Sequence, residues 1–249
     1  MIAIIDENRN FICMSCCCAN SNLNHSIPTT LPNPNNPITI VDHHLPCITH
    51  NLYDVTFHSH YIQTLLTSDP SFVHSWLSHT RRLYPDHRHL TVGLDVEWRP
   101  NPSTSRRRNP VATIQLCIAH RCLIFQVLHA PSVPPSLAAF LADASNTFVG
   151  VGIEADAEKL LEDYELRVVN FVDLRDVAAG KMEERELKNA GLKTLSSRVL
   201  GLEVEKPREV STSRWDNRWL SDEQVQYACV DAFVSYKIGM RLLGFNCGY

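Results

Sequence analysis

The sequence is short of several things that would each fix its class. Across 249 residues no apolar run approaches the roughly 18 residues that a membrane-spanning helix needs. The first ten residues carry Asp6, Glu7 and Arg9 behind a brief apolar run, so the basic start and long apolar centre of a secretory signal are missing. There is no excess of positive charge: 23 Lys and Arg stand against 27 Asp and Glu, a formal net charge of −4. That excludes a protein that coats nucleic acid with its whole surface. It leaves room for a local basic patch, or for a cleft whose field a metal ion reverses. No HExxH motif, no paired Cys/His spacing of a zinc site and no internal repeat occur.

Charge is absent from one long stretch. Between Arg9 and Asp42 there is no Asp, Glu, Lys or Arg. The segment is Asn, Ser, Pro and Cys, with Pro28, Pro32, Pro34 and Pro37 and no sustained periodicity. Residues 1–37 are therefore expected to be a disordered extension ahead of a compact domain at 38–249. Cys13, Cys16, Cys17 and Cys18 include a CxxC spacing without further ligands in range, which reads as a cysteine-rich leader. The nine cysteines are an odd number, and without a signal they fit reduced thiols in the nucleus or cytoplasm. The histidines gathered between His43 and His89 lack metal-ligand spacing and read as a polar surface.

What is present suits a packed core: 44% of residues are hydrophobic and 20% charged. Alternation predicts strands over 38–41, 52–57 and 90–98, then an antiparallel hairpin of 111–119 with 122–128. Strands at 147–153 and 168–173 alternate with helices over 71–84, 135–143, 157–164, 174–179 and 191–199. Ser221 and Gln224 have the spacing of a capping box, opening a long helix that ends near Leu243. A strand meander followed by alternating strands and helices implies an α/β fold, a mixed sheet flanked by helices on both faces.

The strand at 91–98 carries the chemistry. Side chains alternate along it, so Val92, Leu94, Val96 and Trp98 share one face and Gly93, Asp95 and Glu97 the other. Two carboxylates on one face repel. On an outer face water would screen them. In a central strand, covered on both sides, they call for a cation, and hard oxygen donors suit Mg²⁺ or Mn²⁺. In the long C-terminal helix Asp231 lies among apolar residues, where a carboxylate needs a partner or a metal. Tyr227, four residues earlier, shares its face; a core Tyr–Asp hydrogen bond is the alternative. Asp156 follows Gly150 and Gly152 where strand becomes helix, and could simply be a helix N-cap. Together the four acids and the tyrosine fit one reaction. Two divalent ions about 4 Å apart can drive phosphodiester cleavage, given carboxylates from several elements and a group that orients water.

These segments resemble the three motifs of the DEDD 3′–5′ exonucleases, within the DnaQ-like, ribonuclease H-like superfamily. Gly93-Leu94-Asp95-Val96-Glu97-Trp98 is similar to the first, and Phe148-Val149-Gly150-Val151-Gly152-Ile153 with Asp156 and Leu160 to the second. Tyr227-Ala228-Cys229-Val230-Asp231-Ala232 is similar to the third, with the Tyr-x-x-x-Asp spacing of the tyrosine-bearing branch. Tyr53–Phe57, the run from Asp95 to Pro100, and Trp215 ahead of Leu220 and Gln224 resemble the plant Werner-syndrome-like members. The resemblance implies a ribonuclease H-like fold and two ions, Mg²⁺ or Mn²⁺. Asp95, Glu97 and Asp231 would bind the first, and Asp95 with Asp156, mainly through water, the second. Tyr227 would orient the attacking water. The partner implied is the 3′ end of nucleic acid, DNA favoured over RNA. No GxxxxGK[ST] loop and no long tail after Leu243 are present, so cleavage without a motor of its own is expected.

Substrate contacts are harder to read. Arg106, Arg107 and Arg108 follow the first motif and could meet phosphates, or form a solvated cluster. Trp98 could stack on a terminal base, although its alternation with Val96 favours the core. Lys159, Arg214 and Trp215 are further candidates. The competing readings are a nucleic-acid- or protein-binding module that keeps the fold without catalysis, and a structural protein whose acidic pair is merely solvated.

Overall fold

The computed structural model describes residues 38–84, 89–101 and 108–244, together with one strand pair nearer the N-terminus. That pair is β1 (Ile4–Ile5) and β2 (Phe11–Ile12), which run antiparallel. The cysteine cluster and the prolines of the leader lie outside the described residues.

The core is an eight-stranded sheet. Its strands are β3 (Ile38–Asp42), β4 (His50–Phe57), β5 (His60–Thr67), β6 (Thr91–Glu97), β7 (Thr113–Ile118), β8 (Arg121–Phe125), β9 (Thr147–Gly150) and β10 (Phe171–Asp173). Their order is β10-β9-β6-β7-β8-β5-β4-β3, so β6 is interior, between β9 and β7. Pairs β10/β9, β6/β9 and β5/β8 are parallel and the others antiparallel. One face is covered by α1 (Pro70–Leu83), α2 (Pro135–Leu141) and α3 (Ile153–Tyr164), packed on Val92, Leu94 and Val96. The other is covered by α4 (Leu174–Lys181), α5 (Leu192–Leu195) and α7 (Asp222–Leu243); α6 (Arg208–Ser211) lies just before α7. This is the mixed, doubly covered α/β sheet that the element order implies. No helix among the described residues is long and apolar enough to cross a membrane.

Two of the departures from expectation bear most on the layout of the sheet and the site. β5 was absent from the strands read in the sequence. Its hairpin with β4 pairs Phe57 with His60 through a two-residue turn, and His58 there has φ 51°. Such turns favour Gly, Asn or Asp, and His58-Ser59 gives no such signal. The second correction concerns 147–153: the strand stops at Gly150, and α3 begins at Ile153 instead of 157. Gly152, at φ 76°, is the α3 N-cap, so Asp156 sits inside the first turn and is not the cap.

α7 behaves as its sequence demands. The Ser221 and Gln224 capping box forms in both directions, with Gln224 N–H donating to Ser221 Oγ at 3.3 Å and Ser221 N–H to Gln224 Oε1 at 3.0 Å. Its seating depends on Gly93. A Cβ there would lie 2.0 Å from Ala232 O and 2.8 Å from Tyr236 N. Only a residue without a side chain lets α7 lie this close to β6.

Candidate active site

That close approach sets Asp231 over β6. The strand's alternation turns Leu94 and Val96 into the α1–α3 layer and leaves Asp95 and Glu97 on the α7 side. One oxygen each from Asp95, Glu97 and Asp231 lies within 4.8 Å of the other two. Asp231 is only 3% exposed. Asp95 Oδ2 is sealed from solvent and has no hydrogen-bond partner among the described residues. An unpaired buried carboxylate oxygen is costly, and a cation relieves it.

The electrostatics agree. Burial first, then the charges of Asp231 and Asp156, push the Asp95 carboxyl well above the usual range. Glu97 is raised in the same way, by burial and then by Asp95. Asp231 is raised by burial, although Lys206 and Tyr227 hold it back. Asp156 is pushed up to about 7 by burial and by neighbouring Asp173. It stands outside the tight trio but bears on it through charge. The positive end of α3 favours its ionised form.

Tyr227 lies one turn before Asp231 on α7. Burial and then the Asp231 charge raise its hydroxyl far above neutral pH, so the phenol stays protonated and acts as a hydrogen-bonding group. Its ring meets Trp215, 6.0 Å away between centres. Trp215 is fully buried and donates its indole N–H to Ser211 O at 3.3 Å. It backs the tyrosine and has no surface for a substrate, which corrects its expected role.

Lys159 needs the same correction. It is 5% exposed, and its ammonium donates to Asn109 O at 2.7 Å and Asp163 Oδ2 at 3.0 Å. Trp98, partly buried against the α1–α3 core, receives that ammonium 5.1 Å from its ring centre. Arg108 is exposed and ion-paired with Glu162. Arg106 and Arg107 lie outside the described residues. Arg214 is exposed and clamps Asp216 at 2.9 and 3.2 Å.

Two residues escaped sequence reasoning. Lys206 places its ammonium 2.5 Å from Asp231 Oδ2 and 5.0 Å from the Tyr227 ring centre. Asp173 accepts from Gly152 N–H at 3.0 Å, caps α4 and holds the Arg175 guanidinium, which ties the α3 turn to β10. Asp173 had a readable signal, an Asp between a strand and a helix. Lys206 had none. Beside Tyr227 and Asp231 opens a cavity of about 310 Å³, bordered by Ile38, Pro207, Glu205, Glu209 and Glu223.

A mixed sheet with acids converging from its central strand and its covering helix defines a class, the exonuclease fold of the ribonuclease D type. Escherichia coli RNase D superposes with a TM-score of 0.60 at 18% identity, over 72% of this chain and 44% of that one. Residues 75–243 match the family model described as 3′–5′ exonuclease, and the chain belongs to that family. It is similar to a 3′–5′ exonuclease of Arabidopsis thaliana, 34% identical over 148 residues, covering 59% of this chain and 50% of that protein. It is also similar to the mouse bifunctional 3′–5′ exonuclease/ATP-dependent helicase WRN, 36% identical over 152 residues, covering 61% of this chain and 11% of that protein. The chain thus spans half or less of the length of these relatives.

Proposed function

We propose that the chain is a metal-dependent 3′–5′ exonuclease of the tyrosine-bearing DEDD type, acting on the 3′ ends of nucleic acid. The observations that carry this are the convergence of Asp95, Glu97 and Asp231 and the burial of Asp95 Oδ2 with no hydrogen-bond partner among the described residues. The donor set fits the ions: it offers carboxylate oxygens alone, the ligands that Mg²⁺ and Mn²⁺ favour. Asp95, Glu97 and Asp231 would hold one ion, and Asp95 with Asp156 the second. When bound, such a pair activates water and stabilises the leaving oxygen.

The chain's own residues do the rest. Tyr227, kept neutral, donates its hydroxyl proton in a hydrogen bond that fixes the attacking water. Trp215 behind it limits the motion of the ring. Asp173 holds the turn from which Asp156 projects. The attacking oxygen joins the terminal phosphorus as the bond to the 3′ oxygen of the preceding nucleotide breaks, releasing a nucleoside 5′-monophosphate.

An oligonucleotide labelled at either end tests the polarity. With Mg²⁺ or Mn²⁺, the 5′-labelled strand should shorten in single steps and the 3′-labelled strand should release labelled mononucleotide first. Internal fragments from either strand would contradict the proposal.

A further inference from the structure

Among the described residues, the shortest ionic contact to the trio comes from Lys206, which neither the motifs nor the two-ion scheme employs. Its ammonium bonds Asp231 Oδ2 at 2.5 Å. The Asp231 side chain is 5% exposed and that of Lys206 is 30% exposed. The lysine belongs to the irregular stretch between the turn that ends at Leu200 and the start of α6 at Arg208. Asp95 and Glu97 are set in the sheet and Asp231 in the longest helix. Lys206 is therefore the member of the site whose backbone is least tied to the rest.

An ammonium and a divalent cation at one carboxylate repel each other strongly in a poorly solvated site. We propose that Lys206 is the internal counter-ion of the metal site. It occupies Asp231 while metal is absent, and the first ion displaces it, so that it sets the affinity of that ion. This rests on the metal-site reading above. The displaced ammonium has somewhere to go. The cavity of about 310 Å³ beside Tyr227 and Asp231 has three acidic residues, Glu205, Glu209 and Glu223, in its lining. Both chain neighbours of Lys206, Glu205 and Pro207, already line it.

The test is Mn²⁺ binding by calorimetry and by the spin-resonance signal of free Mn²⁺, with the full chain and its Lys206→Met and Lys206→Arg variants. Lys206→Met keeps the length of the side chain and removes its charge. It should bind the first Mn²⁺ about tenfold more tightly, and its metal-free melting temperature should fall. Lys206→Arg keeps the charge and should bind as the unaltered protein does. If Lys206→Met does not fold, Lys206→Gln takes its place in the same titration. Unchanged or weaker Mn²⁺ binding by the uncharged variant overturns the proposal, because the lysine would then merely support Asp231. Asp95→Ala separates the two claims. If the unaltered protein binds Mn²⁺, Asp95→Ala does not, and Lys206→Met matches the unaltered protein, the metal site stands and the counter-ion role falls. If the unaltered protein binds no Mn²⁺, both fall.

Discussion

Asp95 is held in the fold against its own preference. Its Oδ2 is buried without a hydrogen-bond partner among the described residues, and two like charges stand nearby. Removing its charge should therefore stabilise the metal-free protein while destroying the metal site. Asp95→Asn is expected to raise metal-free stability by about 1–3 kcal/mol and to abolish the rise in melting temperature that Mn²⁺ induces. Thermal melts with and without Mn²⁺ check both halves. Tyr227 plays a different part. In the proposed function it meets the attacking water and not the ions, so Tyr227→Phe should cut single-turnover cleavage by roughly 10–100-fold while Mn²⁺ affinity measured by calorimetry stays the same. Equal losses in the two measurements would contradict that division of labour. The meeting of Asp95, Glu97 and Asp231, with Tyr227 one turn away, was legible because strand alternation and helical spacing put each on a definite face. Lys206 was not readable. It is a single lysine in an irregular stretch, and its partner lies 25 residues further on, a meeting that only the tertiary fold decides.

At the scale of elements, the site depends on how closely α7 can lie on β6. Gly93→Ala would drive a methyl group to 2.0 Å from Ala232 O, a clash with backbone that no side-chain rotation relieves. The variant should lose about 3 kcal/mol or more in urea unfolding, and the helix shift should weaken Mn²⁺ binding with it. Elements were readable where local signals agreed. α7 announced itself through its capping box and unbroken apolar faces, and β6 through alternation. The hairpin of β4 and β5 was hidden, because His58 adopts a positive φ where glycine or asparagine is usual. The start of α3 was hidden too. Val151-Gly152-Ile153 continues the apolar run of β9, and only the left-handed Gly152 turns the chain into a helix. Of the three arginines after β6 that suggested a phosphate grip, only Arg108 is among the described residues, and it pairs with Glu162; Lys159 of α3 is held by Asp163. Charged residues close in sequence to a site find local partners as easily as ligands.

For the whole molecule, the net charge of −4 is a property of the chain without metal. Four carboxylates raised together make that state sensitive to pH. Asp156 binds its proton in the folded protein up to about pH 7, whereas the unfolded chain releases it near 3.8. The folded state thus holds more protons between those values, and its stability falls as pH rises through them. Metal-free melting temperature should decline from about pH 5 to about pH 8, and saturating Mn²⁺ should flatten that decline, since a divalent ion replaces the protons. A decline of equal slope with and without Mn²⁺ would contradict this. The most direct measurement is cleavage of a 5′-labelled oligonucleotide by the unaltered chain and by Asp95→Asn, each shown to be folded, with and without Mn²⁺. The proposed function predicts stepwise shortening from the 3′ end by the unaltered chain with Mn²⁺ alone, and none by the variant. Shortening that survives in Asp95→Asn, or that proceeds without a divalent ion, would contradict it.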